Sequence, residues 1–118
     1  MLSSRNRFHG HGSLRFVHAN GKIVRSRFFV CKYSSNPRRS TPRIAVVVSK
    51  KVIKSAVKRN RIRRRLYEAI RTELPKLSNQ SDIVFIVVSA EVLTAQSGDL
   101  ISAVQQAFNQ AGLYKTAV

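Results

Sequence analysis

Positively charged side chains are concentrated in one short stretch of the chain, and their chemistry is that of binding phosphate. Residues 50–65 hold nine Lys and Arg among sixteen positions, and no acidic residue occurs before Glu68. Such a run cannot be neutralised within its own half of the chain, so it predicts a polyanionic partner. Arg outnumbers Lys over residues 59–65, and guanidinium groups contact phosphate in bidentate fashion and stack on bases. The pattern predicts nucleic-acid binding, without choosing between DNA and RNA.

A solvated basic face with no ligand is the plain alternative for this run. Solvated faces normally intersperse Glu with Lys and Arg, whereas the formal net charge of +17 lies wholly in residues 1–65. Zinc-finger spacing, a heptad zipper and a helix-turn-helix pattern are all missing from the sequence. Their absence lowers the expectation of sequence-specific DNA binding.

Side chains for catalysis or metal binding are sparse. Metal-assisted hydrolysis of a phosphodiester needs clustered carboxylates, and the five acidic residues are scattered. His9, His11 and His18 are the remaining candidates, but glycines flank His11 on both sides and hold a general base poorly. Cys31 is the only soft ligand available to a zinc ion. The sequence predicts no catalytic residue and no metal site in the protein.

Length and composition predict one domain that spans residues 1–118. The hydrophobic content of 43 % is ordinary for a globular protein. The single Cys31 lies in an apolar run, which predicts a buried thiol in a reducing compartment. No apolar stretch approaches the length of a membrane span, and no signal-peptide core follows the first charges. A cytoplasmic location is expected.

Helical periodicity runs from about residue 53 to residue 74 and includes most of the charged run. One apolar arc of this helix comprises Ala56, Ile62, Leu66, Ala69, Ile70 and Leu74. Pro75 is expected to end the helix. A separate stripe, spaced by four, three and four residues, comprises Lys54, Lys58, Arg61 and Arg65. The helix is expected to pack through the arc and to present the stripe to a partner.

β-branched and aromatic residues predict three strands, at Arg27–Tyr33, Arg43–Ser49 and Asp82–Ser89. The proline-containing loop at residues 34–42 suggests that the first two strands form an antiparallel pair. The strand–helix–strand unit of residues 43–89 suggests that the last two form a parallel pair. A mixed sheet with helices packed on it follows, an α+β domain.

Helices are also expected near both ends of the chain. An amphipathic pattern from Leu100 to Ala111 predicts a last helix that stops at Gly112. A short helix capped by Ser13 is favoured near the start, although a hairpin turn at Asn20-Gly21 is an alternative.

An ordered motif follows the second predicted strand. It consists of Ser49-Lys50-Lys51, a short spacer, Ala56-Val57-Lys58 and Arg59-Asn60-Arg61-Ile62-Arg63-Arg64. This string resembles the RNR signature of the bacterial ribonuclease P protein subunit. Glu68 and Arg71 after the motif, Asp82-Ile83-Val84 further on, and the basic Arg5-Asn6-Arg7-Phe8 agree with that family. The resemblance covers nearly the whole chain.

The resemblance implies a protein subunit of a ribonucleoprotein endonuclease, whose catalytic RNA removes the 5′ leader from precursor tRNA. It implies the order α-β-β-β-α-β-α around a single-layer mixed four-stranded sheet. The strand–helix–strand crossover would be left-handed, against the general right-handed expectation. The protein would bind no cofactor by itself, the RNA–protein holoenzyme would require Mg²⁺, and one protein copy would act in each holoenzyme.

Two RNA-binding sites are implied by the same resemblance. The catalytic RNA would contact Lys50, Lys51, Lys54, Lys58, Arg59, Asn60, Arg61, Arg63, Arg64 and Arg65. A cleft between the sheet and the first helix would take the single-stranded leader and would be lined by Leu14, His18, Phe29, Val30 and Lys32. Leu14, His18 and Lys32 stand where the family often has Phe or Tyr, and Tyr67 stands where an Arg is common.

A structural RNA-binding protein, such as a ribosomal protein or an RNA chaperone with no role in cleavage, is the competing interpretation. It would share the size and the charge of this chain. The ordered motif directly after an apolar strand favours the ribonuclease P family.

Overall fold

In the part of the chain that the structure describes, a four-stranded sheet packs against two long helices. The computed structural model describes residues 21–35, 41–78 and 81–115. The strands are β1 (Lys22–Arg25), β2 (Phe29–Ser35), β3 (Arg43–Val47) and β4 (Ser81–Val87), and the helices are α1 (Ala56–Arg71) and α2 (Ser97–Ala111). Short 3₁₀ helices occupy Leu74–Lys76 and Ala90–Leu93. The α+β class is confirmed; the helix predicted after Ser13 lies outside the described residues.

The strand order in the sheet is β1-β2-β4-β3. β3 and β4 are parallel, as predicted from the strand–helix–strand unit. The predicted pairing of β2 with β3 is wrong, because β4 lies between them and pairs antiparallel with β2. The reason is burial: every residue of β4 except Ile86 is buried, so this strand needs neighbours on both edges and cover on both faces.

β1 was not distinguished from the sequence. Its four residues include Lys22 and Arg25, and three of the four are exposed, so the strand has almost no apolar pattern to detect. β2 starts two residues later than predicted because residues 26–28 form a turn, in which the amide of Ser26 donates to the carbonyl of Phe29 at 2.9 Å. β3 and β4 each end two residues earlier than predicted.

The hydrophobic core lies between one face of the sheet and the two helices. Phe29 of β2 meets Phe85 of β4 edge to face, with ring centroids 4.8 Å apart, and Phe85 meets Phe108 of α2 at 5.7 Å. Cys31 is buried in the same layer, and burial raises the pKa of its thiol to about 12. The predicted buried cysteine is confirmed, and its thiol stays protonated at neutral pH.

Helix α1 is capped at its start and held to the sheet in its second half. The hydroxyl of Ser55 accepts a hydrogen bond from the amide of Lys58 at 3.3 Å, as an N-cap does. The buried hydroxyl of Tyr67 accepts from the amide of Val46 on the edge strand β3 at 3.2 Å. This contact satisfies a backbone donor that an edge strand would otherwise leave unpaired.

The predicted extent of this helix needs two corrections. It ends at Arg71, and both Leu74 and Pro75 lie in the following 3₁₀ helix instead. Ala56, which was assigned to the apolar arc, is exposed, because the first helical turn extends past the core and burial starts at Ile62.

The segment that follows α2 packs against the same core. Gly112 adopts a left-handed conformation with φ of 67° and caps α2, which confirms the predicted stop. Beyond it, the hydroxyl of Tyr114 donates to the buried carboxylate of Glu73 at 2.8 Å. Burial by itself would raise the pKa of Glu73, but hydrogen bonds from Tyr114 and Gln105 and the charge of Lys76 outweigh it and hold the pKa below its usual value.

Candidate nucleic-acid interface

The cations of residues 50–65 lie together on the turn before α1 and on the first ten residues of that helix. The amide of Val52 donates to the carbonyl of Ser49 at 3.1 Å and forms the turn. We call the exposed cations of this region the motif surface: Lys50, Lys51, Lys54, Lys58, Arg61 and Arg64. Asn60 is exposed among them, whereas Arg59, Arg63 and Arg65 are half-buried.

The half-buried arginines are engaged in contacts within the protein. Arg59 donates to the carbonyls of Ile53 at 3.1 Å and of Lys54 at 2.6 Å, so it holds the turn against the helix start. Arg63 donates to the side-chain oxygen of Asn60 at 2.5 Å. These two arginines shape the surface as well as adding charge to it.

Arg65 departs most from the prediction, which placed it in a cationic stripe that faces a partner. Its guanidinium donates to the carbonyl of Val92 at 2.5 Å and also to the carbonyl of Ala95. These acceptors belong to the 3₁₀ helix after β4 and the residues that follow it. The structure therefore directs Arg65 toward the protein, while Lys58 and Arg61 of the same predicted stripe stay exposed. Lys54, the fourth member, precedes the helix.

The charge arrangement at the start of α1 opposes the usual preference of helices. A helix N-terminus carries a partial positive charge and favours acidic side chains, but the first turn of α1 has none. Lys58 and the cations beyond it add further positive charge to this end of the helix. Within the described residues the first acid along the helix is Glu68, which pairs with Arg71 at 3.1 Å. The resulting field attracts polyanions and is relieved by binding one.

The other predicted site divides between the two faces of the sheet. Phe29 is fully buried in the core, facing the helices. Val30 and Lys32 alternate with it and lie on the opposite face, where both are half-buried. The predicted inclusion of Phe29 in the leader cleft is therefore wrong: its ring is covered by Phe85. Leu14 and His18 lie outside the described residues.

We call this opposite side the sheet face. Strand register places four neighbours in a band across it: Ile23 of β1, Lys32 of β2, Val84 of β4 and Ala45 of β3. Ile23 is 47 % exposed and was missed because its strand was not predicted. Once β1 is known, its pairing with β2 puts Ile23 opposite Lys32 and therefore on the same face of the sheet.

A buried ion pair closes one end of the sheet face. Arg43 of β3 and Asp82 of β4 are registered partners, joined by two hydrogen bonds of 2.9 and 2.8 Å. Their side chains are only 11 % and 5 % exposed. The hydrogen bonds that the guanidinium donates to Asp82 are the main reason why the pKa of Arg43 is raised above its ordinary value. This pair was not predicted, because its members are 39 positions apart in the chain.

Similarity to a known family covers most of the chain. The family model described as Ribonuclease P matches residues 2–112. The chain belongs to the bacterial ribonuclease P protein family. The predicted resemblance to that family is confirmed, and the chain is a subunit of the ribonucleoprotein enzyme that processes the 5′ end of tRNA.

Individual ribonuclease P proteins agree with this assignment. The ribonuclease P protein component of Caldanaerobacter subterraneus is 34 % identical over 99 residues, which cover 84 % of this chain and 83 % of the relative. That of Chloroflexus aurantiacus is 42 % identical over 81 residues, which cover 69 % and 58 %. The alternative of a ribosomal protein or RNA chaperone finds no support in these matches.

Solved structures of ribonuclease P proteins share the fold. The Staphylococcus aureus protein superposes with a TM-score of 0.80 at 21 % identity, over 93 % of this chain and 98 % of that one. The Thermotoga maritima protein gives 0.73 at 19 % identity, over 85 % and 92 %. The β-β-β-α-β-α order of the described residues is thus a known ribonuclease P protein architecture.

Proposed function

We propose that the motif surface binds the catalytic RNA of ribonuclease P and that the sheet face binds the 5′ leader of precursor tRNA. The observation that carries the proposal is the exposure of six cations on one turn and one helical half, next to a helix N-terminus without acids. Contacts to phosphate supply affinity and orientation but carry no sequence information. They suit a protein that recognises the folded shape of one RNA.

The division of labour follows from the chemistry of the side chains. No three His, Cys, Asp or Glu residues lie together in the parts of the chain that the structure describes. We assign the bond-breaking chemistry and its Mg²⁺ to the RNA, and binding and positioning to the protein. No helix among the described residues is both long and apolar enough to cross a membrane. The proposal also includes a cytoplasmic location, one protein copy in each holoenzyme, a helix before β1 and a left-handed β3-α1-β4 crossover.

The sheet face suits an unpaired strand because it combines apolar and cationic groups. Ile23 and Val30 offer contact area, and Lys32 is next to both: it is the cross-strand partner of Ile23 and lies two residues from Val30 on β2. Single-stranded RNA is commonly bound by contacts to bases along a positively charged groove. Mature tRNA lacks the 5′ leader, so contacts here would favour the precursor.

Two arginines four residues apart on α1 should respond differently to removal. Arg61→Ala is expected to lower the slope of log affinity against log salt by about 0.7–0.9, the value of one lost phosphate contact. Arg65→Ala should leave the slope nearly unchanged but lower the free energy of unfolding by about 1–3 kcal/mol, because two carbonyls lose their donor. Salt titrations of binding to the catalytic RNA and urea unfolding of both variants test this.

Lys115→Ala serves as the control for these titrations, since Lys115 is an exposed cation outside the motif surface. An unchanged slope for Arg61→Ala would place the RNA elsewhere.

Lys32 tests the leader contact. Lys32→Ala should reduce the ratio of precursor to mature tRNA affinity by about fivefold, equivalent to about 1 kcal/mol, while the affinity for mature tRNA stays unchanged. The measurement is equilibrium binding of both substrates to the assembled holoenzyme. Lys22→Ala is the matched control, because Lys22 is an exposed cation on the neighbouring strand that faces the helix side of the sheet. Equal losses for both substrates would place Lys32 outside the leader path.

A further inference from the structure

A groove of about 480 Å³ lies between α1 and α2. We call it the interhelix groove. Its cationic rim is formed by Arg61 and Arg64, part of its wall by Arg65, and its apolar floor by Ala69, Leu100 and Ile101. Arg61 and Arg64 also belong to the motif surface, so the two sites are continuous. We propose that this groove holds an unpaired nucleotide of the catalytic RNA, an inference that rests on the proposed function of the motif surface.

The apolar floor separates this site from a plain phosphate-binding surface. A phosphate contacts only the guanidinium groups and gains nothing from Leu100 or Ile101. A nucleobase presents a flat, weakly polar face that packs on such a floor, while its phosphate reaches the rim. Arg guanidinium groups also stack on bases. The occupant that uses both parts of the groove is a nucleotide.

Polar groups at the side of the groove fit the edge of a base. Glu68, Thr72 and Ser97 line the groove beside the rim and floor. A carboxylate accepts hydrogen bonds from the exocyclic amino groups of bases, whereas it repels a phosphate. Glu68 also contacts Arg71 at 3.1 Å, so its carboxylate is held near this position. The carboxylate thus favours a base over a bare anion.

Base pairing decides which nucleotides can enter. In an A-form duplex the bases are stacked inside, and side chains reach only the backbone and the shallow groove. A duplex segment would therefore contact the rim and leave the floor empty. The nucleotide in the interhelix groove must come from a loop, a bulge or a junction of the catalytic RNA.

Arg65 makes the groove rigid before RNA arrives. Its guanidinium is fixed by the carbonyls of Val92 and Ala95, and the aliphatic part of the side chain forms part of the wall. A preformed wall lowers the ordering cost of binding. This gives a role to an arginine that does not project from the surface as its spacing predicts.

Removing the apolar floor tests the proposal without changing charge. Ile101→Ser is expected to weaken binding to bacterial ribonuclease P RNA about fivefold, whereas Ile101→Val retains the affinity. Val88→Ser is the matched control, since Val88 is a half-exposed apolar residue outside the groove. Urea unfolding of each variant confirms that the binding measurements are made on folded protein.

A photoreactive benzophenone side chain at position 101 identifies the occupant in the assembled holoenzyme. The expected result is a crosslink to one unpaired nucleotide of the catalytic RNA, whose base becomes protected from chemical modification when the protein binds. The same group at position 103, which faces a different cavity on α2, should not give that crosslink.

Three results would overturn the nucleotide site. The first is crosslinks that spread along duplex backbones, and the second is crosslinks to precursor tRNA. The third is tight binding of the catalytic RNA with no crosslink and no loss of affinity for Ile101→Ser. Those results would leave the proposed function intact. Failure of the wild-type protein to bind the RNA at all would instead overturn the proposed function, and the groove with it.

Discussion

Precursor tRNA incubated with this protein alone is expected to remain intact, whereas the protein together with a bacterial ribonuclease P RNA should cut it at the mature 5′ end. At low Mg²⁺ the RNA alone should be nearly inactive and the protein should restore cleavage. The physical reason is charge: six exposed cations offset repulsion between RNA segments that Mg²⁺ would otherwise screen. Gel analysis of cleavage products across a Mg²⁺ series, with and without protein, measures the effect.

The double variant Arg61→Ala, Arg64→Ala is the informative control for that series. It removes two cations of the motif surface, and both side chains are exposed, so the fold should survive. Its stimulation of cleavage should be lost at low Mg²⁺ and recovered when protein or Mg²⁺ is raised. Specific cleavage by rigorously RNA-free protein would contradict the assignment of catalysis to the RNA.

Asp82→Ala is expected to destabilise the protein by about 3–5 kcal/mol, the usual effect of leaving one member of a buried ion pair without its counter-charge. The guanidinium of Arg43 would stay in a site that leaves its side chain only 11 % exposed. A loss of this size is a large share of the total stability of a domain this small. Urea or thermal unfolding monitored by circular dichroism measures it.

Glu68→Ala provides the comparison, because it breaks an ion pair whose side chains are more than half exposed. Such pairs contribute at most about 1 kcal/mol. Equal, small losses for the two variants would show that Arg43 and Asp82 do not depend on each other. Replacing both with apolar residues of similar size should recover much of the stability, which separates the lost pair from the buried charge it leaves behind.

Helix α1 and its cations could be predicted because their signals are local. Spacing within one helix defines an apolar arc, and Ile62, Leu66 and Ile70 are buried as that arc requires. The same reasoning failed for Arg65, because its orientation depends on the carbonyls of Val92 and Ala95, which are about thirty positions away in sequence. Periodicity states which side of a helix a residue occupies. It does not state what another segment places there.

Three of the four strands were predicted, but not their order in the sheet. A continuous apolar run such as that of β4 indicates burial on both faces, which suits a central strand, yet chain order suggested that β2 and β3 were neighbours. The leader cleft shows a related limit. Phe29 and Lys32 are three positions apart, so a shift of one residue in the assumed strand decides which of them faces the core.

The position of β4 has a consequence for how the chain acquires its fold during synthesis. β1 and β2 are adjacent in sequence and can pair early, but β3 has no strand to pair with until residues 81–87 have left the ribosome. Helix α1, with seven of the 22 Lys and Arg of the protein, is therefore made before the sheet that will support it is complete. A nascent chain paused before residue 81 would expose a cationic helix with an uncovered apolar side, in a compartment crowded with RNA. Early contact with RNA and late closure of the core are then set by the order of the strands.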